Sequence, residues 1–187
     1  MDTGGTGFDE PVRLRPLSLD DEAQVTAAQA ELARDGFRFA FREDGEDWSA
    51  FVERTAAEER GVVPADWVPT TFLVALRGEE IVGRVSIRHE LNDFLLRLGG
   101  HIGYGVRPGH RRRGYAASIL RQALTVTDGL GVERVLVTCD DDNVGSARTI
   151  EGAGGVLEDV VADGEESPKR RYWIDRSAQV ARLRGRS

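Results

Sequence analysis

The run Val106-Arg107-Pro108-Gly109-His110-Arg111-Arg112-Arg113-Gly114-Tyr115-Ala116 constrains this chain more than any other stretch. It closes an apolar strand, residues 101–106, and opens a helix whose stripe is Ala116, Ile119, Leu120, Ala123, Leu124 and Thr127. Gly129 and Gly131 end that helix. Glu133-Arg134-Val135-Leu136-Val137-Thr138-Cys139 follows, a strand apolar enough to be buried on both faces. Strand, loop, helix and strand in this order imply a parallel crossover and hence a mixed α/β sheet. A helix start leaves backbone N–H groups unpaired, and the helix dipole adds positive charge there. The same dipole disfavours cations, so stability alone does not place Arg107, Arg111, Arg112 and Arg113 around that start. The loop reads instead as an anion site suited to a pyrophosphate.

This local positive charge stands against a formal net charge of −7, which argues against nucleic acid or anionic membranes as partners. The length of 187 residues, 40% hydrophobic, fits one ordinary domain with its own core. Cys139 is the single cysteine, which excludes an intramolecular disulfide framework and a thiolate zinc cluster. No stretch has the apolar length of a membrane span, and the acidic, glycine-rich start lacks the regions of a signal peptide, so a cytoplasmic location is expected. Val12-Arg13-Leu14-Arg15 alternates as a short strand stopped by Pro16. Ser18-Leu19-Asp20-Asp21 has capping-box character and starts a helix to about residue 34, closed by Gly36. A second helix covers about 48–60, with Trp48, Phe51, Val52 and Thr55 on one face. Residues 71–76 and 81–87 form a hairpin. A shorter helix spans about 143–153, and 156–161 with 170–174 make a last hairpin around an acidic turn. The expected organisation is a disordered start at 1–10, one domain at 11–175, and a basic polar tail at 176–187, either a frayed helix or disordered.

Two nucleotide motifs fail at the loop. Gly109 and Gly114 carry P-loop spacing, but Tyr115-Ala116 stands where Lys and Ser/Thr must hold the terminal phosphate and magnesium. Gly103 and Gly105 begin a dinucleotide G-x-G, yet Pro108 occupies the third glycine position. What remains is Arg111-x-x-Gly114-x-Ala116 after an apolar strand. In this the chain resembles the GNAT superfamily of N-acetyltransferases, whose acetyl-CoA motif is Q/R-x-x-G-x-G/A. Val106-Arg107-Pro108, the helix-opening Asn143, the closing Gly154-Gly155 and the Arg13-Leu14-Arg15-Pro16 start extend the resemblance over about residues 12–174. His89-Glu90-Leu91-Asn92-Asp93, Gly99-Gly100-His101-Ile102-Gly103-Tyr104 and Thr138-Cys139-Asp140 look like a bacterial branch of predicted acetyltransferases.

The resemblance implies a mostly antiparallel mixed sheet with a splayed parallel strand pair, flanked by helices. It implies that amides of Arg111, Arg112, Arg113, Gly114, Tyr115 and Ala116 hold the pyrophosphate of acetyl-CoA, the acyl donor, and that Asn143 belongs to the same site. The pantetheine arm would lie along Tyr104, Gly105 and Val106. The glycines beside Tyr104 suit a bulge, or a face that something approaches closely. The N–H near Val106 would stabilise the developing oxyanion, and direct transfer needs neither metal nor protein nucleophile. Cys139 is then a core thiol. An amine acceptor must lose a proton, and His101 is the first candidate base, with Glu90 and His89 as alternatives. Many relatives carry an acid tyrosine seven positions after the asparagine. Here that position is Ile150, leaving Tyr104, solvent or an unaided thiolate departure. Asp140-Asp141-Asp142 and the acids of 158–166 read as a rim for a cationic amine or as solvated loops. Phe37, Phe39, Phe41, Trp48 and Trp67 read as pocket lining or core. The implied function is N-acetyl transfer to a small primary amine. Acetylation of a protein N-terminus or lysine, and a non-catalytic acyl-CoA sensor, are the alternatives. A homodimer enters only through the family.

Overall fold

The computed structural model describes residues 11–185, so the expectation for residues 1–10 lies outside the described residues. Strands β1 (Arg13–Pro16), β2 (Thr70–Arg77), β3 (Glu80–Arg88), β4 (Ile102–Val106), β5 (Arg134–Asp140), β6 (Val156–Asp163) and β7 (Glu166–Asp175) form one sheet in the order β1-β2-β3-β4-β5-β7-β6. Helices α1 (Glu22–Ala33) and α2 (Trp48–Glu59) cover one face, and α3 (Tyr115–Gly129) and α4 (Val144–Gly152) cover the other. Neighbouring strands are antiparallel except β4 and β5, which α3 connects as the parallel crossover expected from the sequence.

Strand periodicity divides the interior into two cores. Phe72, Val74 and Leu76 of β2 pack with Val25, Leu32 and Phe51 of α1 and α2. Leu73 and Ala75 face the other way, joining Val85, Ile87, Ile119, Leu120 and Ile150 under α3 and α4. Burial on both faces is why β2 lacks polar alternation.

The parallel pair is short. Ile102 opposite Val137 is the one register position at which β4 and β5 pair, and beyond it the strands diverge. The last helix, α5 (Ser177–Arg184), departs from the frayed-or-disordered reading of the tail. Val180 is buried, and the Arg176 guanidinium grips the buried Asp128 of α3, with Nε 2.8 Å from Oδ1. That partner lies far away in sequence and next to it only in the fold.

Candidate active site

The end of β4 leads into a backbone of unusual shape. Arg112 has φ +58°, the single non-glycine residue with positive φ among the described residues, and Gly114 follows at +78°. A Cβ on Gly114 would meet nothing within 4 Å, so the glycine is there for its left-handed backbone and not for space. Such loops turn successive N–H groups toward a common concavity. The first bond into α3 runs from the Ser118 N–H to the Gly114 carbonyl at 3.1 Å, and no side chain caps the helix. The amides of Tyr115, Ala116 and Ala117 thus have no intrahelical acceptor. Helix α4 differs: the Asn143 side-chain oxygen accepts the Ser146 N–H at 3.0 Å. One helix start is closed by its own cap, while the other is left open to an anion.

The four arginines divide into two pairs. Arg107 makes a two-pronged contact with Glu31 at 2.6 and 2.9 Å, and Arg111 meets Asp35 at 2.6 Å. These two fasten the loop to α1 and its C-terminal turn, so their side chains are engaged within the chain while the other two are not. Arg112 and Arg113 are exposed and have no ion pair among the described residues. Arg121 and Arg148 face an open groove of about 640 Å³ between α3 and α4, which begins at Ala117 and has no carboxylate in its lining.

Backbone polarity defines the gap between β4 and β5. The Arg107 N–H bonds to the Val82 carbonyl on β3. Successive strand residues present their backbone groups to opposite neighbours, so the N–H groups of Tyr104 and Val106 point into the gap. The Tyr104 hydroxyl lies 2.9 Å from the Ser146 hydroxyl of α4. Burial pushes the Tyr104 phenol up to about 12, so it keeps its proton at neutral pH. Cys139, buried beside the same serine, is pushed up to about 11 and stays a neutral thiol. Ile150, in place of the family tyrosine, is fully buried core. Ser146 was not singled out from sequence. Its only signal there is a place three residues after a helix-capping asparagine.

The expected bases lie elsewhere. His101 is buried at the last point of contact between the parallel strands: its N–H donates to the Leu136 carbonyl at 2.7 Å, and its Nδ1 accepts the Leu136 N–H at 2.9 Å. Burial, reinforced by Arg88, lowers its pKa to about 4. The neutral ring then carries its proton on Nε2, and neither nitrogen is free to accept another. Antiparallel register puts Tyr104 opposite Val85, so Glu90 lies five residues farther along, roughly 17 Å at ~3.3 Å per residue. Glu90 is exposed, and the His89 Nε2 is 2.9 Å from the Thr71 hydroxyl.

Part of the acidic rim is paired from β7, while Asp142, Glu165 and Glu166 make no ion pair among the described residues. Asp140 and Asp163 pair with Lys169, Asp141 with Arg170, and Glu158 and Asp159 with Arg171. The glycines of β4 are also accounted for by the chain itself. A Cβ on Gly105 would lie 2.5 Å from the Phe37 ring, and one on Gly103 would lie 3.0 Å from an Arg88 guanidinium nitrogen. Phe37 and Phe41 stack on Arg84, Phe39 and Trp48 are buried in the α1/α2 core, and Trp67 is exposed.

A family model described as an acetyltransferase (GNAT) domain matches residues 12–156. No curated protein matches the sequence. Among solved structures, Mycobacterium smegmatis RimJ in complex with CoA-disulfide has a TM-score of 0.65 at 19% identity, covering 94% of this chain and 88% of that one. Spermidine N-acetyltransferase from Vibrio cholerae in complex with CoA and spermine gives 0.63 at 17%, with coverages of 90% and 98%. RimL, a ribosomal L7/L12 alpha-N-protein acetyltransferase in complex with coenzyme A, gives 0.67 at 14%, covering 90% and 96%. These likenesses establish a shared fold. Among the described residues there is no group of three or more His, Cys, Asp or Glu able to hold a metal, and no helix long and apolar enough to cross a membrane.

Proposed function

Because the chain belongs to the GNAT acetyltransferase family, we propose that it transfers the acetyl group of acetyl-CoA directly to a primary amine. The carrying observation is the uncapped start of α3, reached through left-handed Arg112 and Gly114 and opening beside a splayed parallel strand pair. The free amides of residues 115–117, with Arg112 and Arg113, match a pyrophosphate. Arg121 and Arg148 supply further positive charge where the groove continues toward the nucleotide end.

The gap between β4 and β5 gives the acyl arm a strand-like place along Tyr104, Gly105 and Val106, with Asn143 at its edge. The Val106 N–H donates to the acetyl oxygen as the N–C bond forms and charge builds on that oxygen. As the C–S bond breaks, Tyr104 passes its proton to the sulfur; the bonded nitrogen sheds its second proton to solvent as the amide forms, and a solvent proton returns to Tyr104 through Ser146. The ammonium proton of the acceptor leaves to water before attack. His101 holds the strands together where they part, a positioning role in place of the base expected from sequence.

Calorimetry tests the donor site: acetyl-CoA binds the wild type, and Gly114→Trp abolishes binding. Unchanged affinity in that variant would sink the proposal. Thiol release across a panel of amines tests turnover. Tyr104→Phe is expected to lower kcat by about 10² with donor affinity unchanged. A protein that binds acetyl-CoA and turns over no amine is a sensor.

A further inference from the structure

Resting on the acetyl-transfer reading, we propose that the acceptor amine carries a second, anionic group, a carboxylate or a phosphate, which docks on Arg88 on the α1/α2 face of the sheet. Strand β3 has the order Gly83-Arg84-Val85-Ser86-Ile87-Arg88, in which Val85 and Ile87 face the α3 core. Arg84, Ser86 and Arg88 therefore share the opposite face. They converge over Gly103 of β4, which pairs with Ser86. The position of a Cβ there lies 3.0 Å from Arg88 Nη1 and 3.8 Å from Arg84 Nη1. Tyr104 and its partner Ser146 lie on the α3/α4 side of the same short strand. An amine attacking at Tyr104 from the α1/α2 face has its tail at this cluster.

The polar accounting here is incomplete. Arg84, 3% exposed, satisfies its guanidinium with the carbonyls of Phe39, Gly103 and Arg38 and stacks with Phe37, Phe41 and Phe72. It is a clamp, and its charge has no counterion among the described residues. Arg88 is half-buried, and its one side-chain hydrogen bond among the described residues, to the Gly99 carbonyl, is 3.5 Å long. Ser86 is 1% exposed, and its hydroxyl has no partner among the described residues. No carboxylate among the described residues pairs with either arginine, while Asp140, Asp141 and Glu158 pair with Lys169, Arg170 and Arg171. A buried cation without a counterion is costly, and a planar guanidinium with free donors matches an oxyanion. The arrangement selects against a polycationic acceptor, which would meet two guanidiniums at the point where its second charge must lie.

The test uses matched amines whose tails, two to five carbons from the nitrogen, end in a carboxylate, a phosphate, or a neutral amide or hydroxyl. Binding to the protein saturated with coenzyme A is followed by calorimetry, and kcat/KM by thiol release from acetyl-CoA. The expected result is at least a tenfold preference for an anionic tail, the better series identifying carboxylate or phosphate. Arg88→Met reduces the preference below twofold with acetyl-CoA affinity unchanged, and Arg88→Lys restores part of it. Equal or better use of neutral or cationic tails by the wild type, or a preference that survives Arg88→Met, overturns the assignment. Failure of acetyl-CoA itself to bind sinks the transfer reading and this one together. Indifference to tail charge in a protein that consumes acetyl-CoA sinks this one alone.

Discussion

His101 shows how one residue's chemistry changes between sequence and fold. An unperturbed imidazole at a strand start suits a general base, and nothing in the adjacent sequence announces that Leu136 will occupy both its backbone and its ring. The consequence is a pH-dependent stability. The unfolded ring takes up a proton near pH 6.5 and the folded ring only near 4, so acid favours unfolding between those values. The contribution is full above about pH 6.5 and lost as pH falls through about 4, with roughly 3 kcal/mol as its upper size. Denaturant midpoints measured from pH 4 to 8 should show a shallower acid decline in His101→Asn than in the wild type. Parallel profiles for the two proteins would contradict the buried neutral imidazole. Arg84 and Arg88 passed unnoticed in the sequence for a similar reason. A two-residue alternation of polar groups within an apolar strand reads as a solvent face, and only the packing of α1 and α2 turns it inward.

At the scale of elements, the loop between β4 and α3 was the most legible part of the chain, because its chemistry is local. Glycine spacing, the preceding strand and the following amphipathic helix all lie in one continuous run. What the run could not reveal is that α1 and the turn after it reach back to it, with Glu31 on Arg107 and Asp35 on Arg111. The Arg111–Asp35 pair is exposed on both sides and contributes little to stability. Asp35→Asn is therefore expected to change stability by less than about 0.5 kcal/mol. The same substitution should tighten acetyl-CoA binding a few-fold, since Arg111 becomes free to turn toward phosphate. Weaker binding by calorimetry would mean that Asp35 holds Arg111 in its binding position.

At the scale of the molecule, one sheet separates two cores, and both depend on the same strands. Phe51 of α2 belongs to the core on one face and Ile119 of α3 to the core on the other, each fully buried. Truncating either to alanine should cost about 3–4 kcal/mol. Because β2 and β3 serve both cores, the two variants should lower the same single transition. Tryptophan fluorescence, to which Trp48 of the α2 core contributes beside Trp67 and Trp173, and far-UV circular dichroism should then coincide. Separate transitions would show that the two faces unfold independently.

The sequence by itself determined the mixed sheet, the parallel crossover, the open helix start and the family, because each depends on hydrophobic period or on residues close together along the chain. The tertiary structure decided which charges are free. It paired two of the loop arginines, paired five acids of the rim with Lys169, Arg170 and Arg171, and placed Arg84 inside and Arg88 half inside with no carboxylate partner among the described residues. It also joined Tyr104 to Ser146 across the gap between β4 and α4. Pairing of charges and burial of polar groups depend on partners brought together by the sheet across tens of residues, and no local pattern in the chain encodes them.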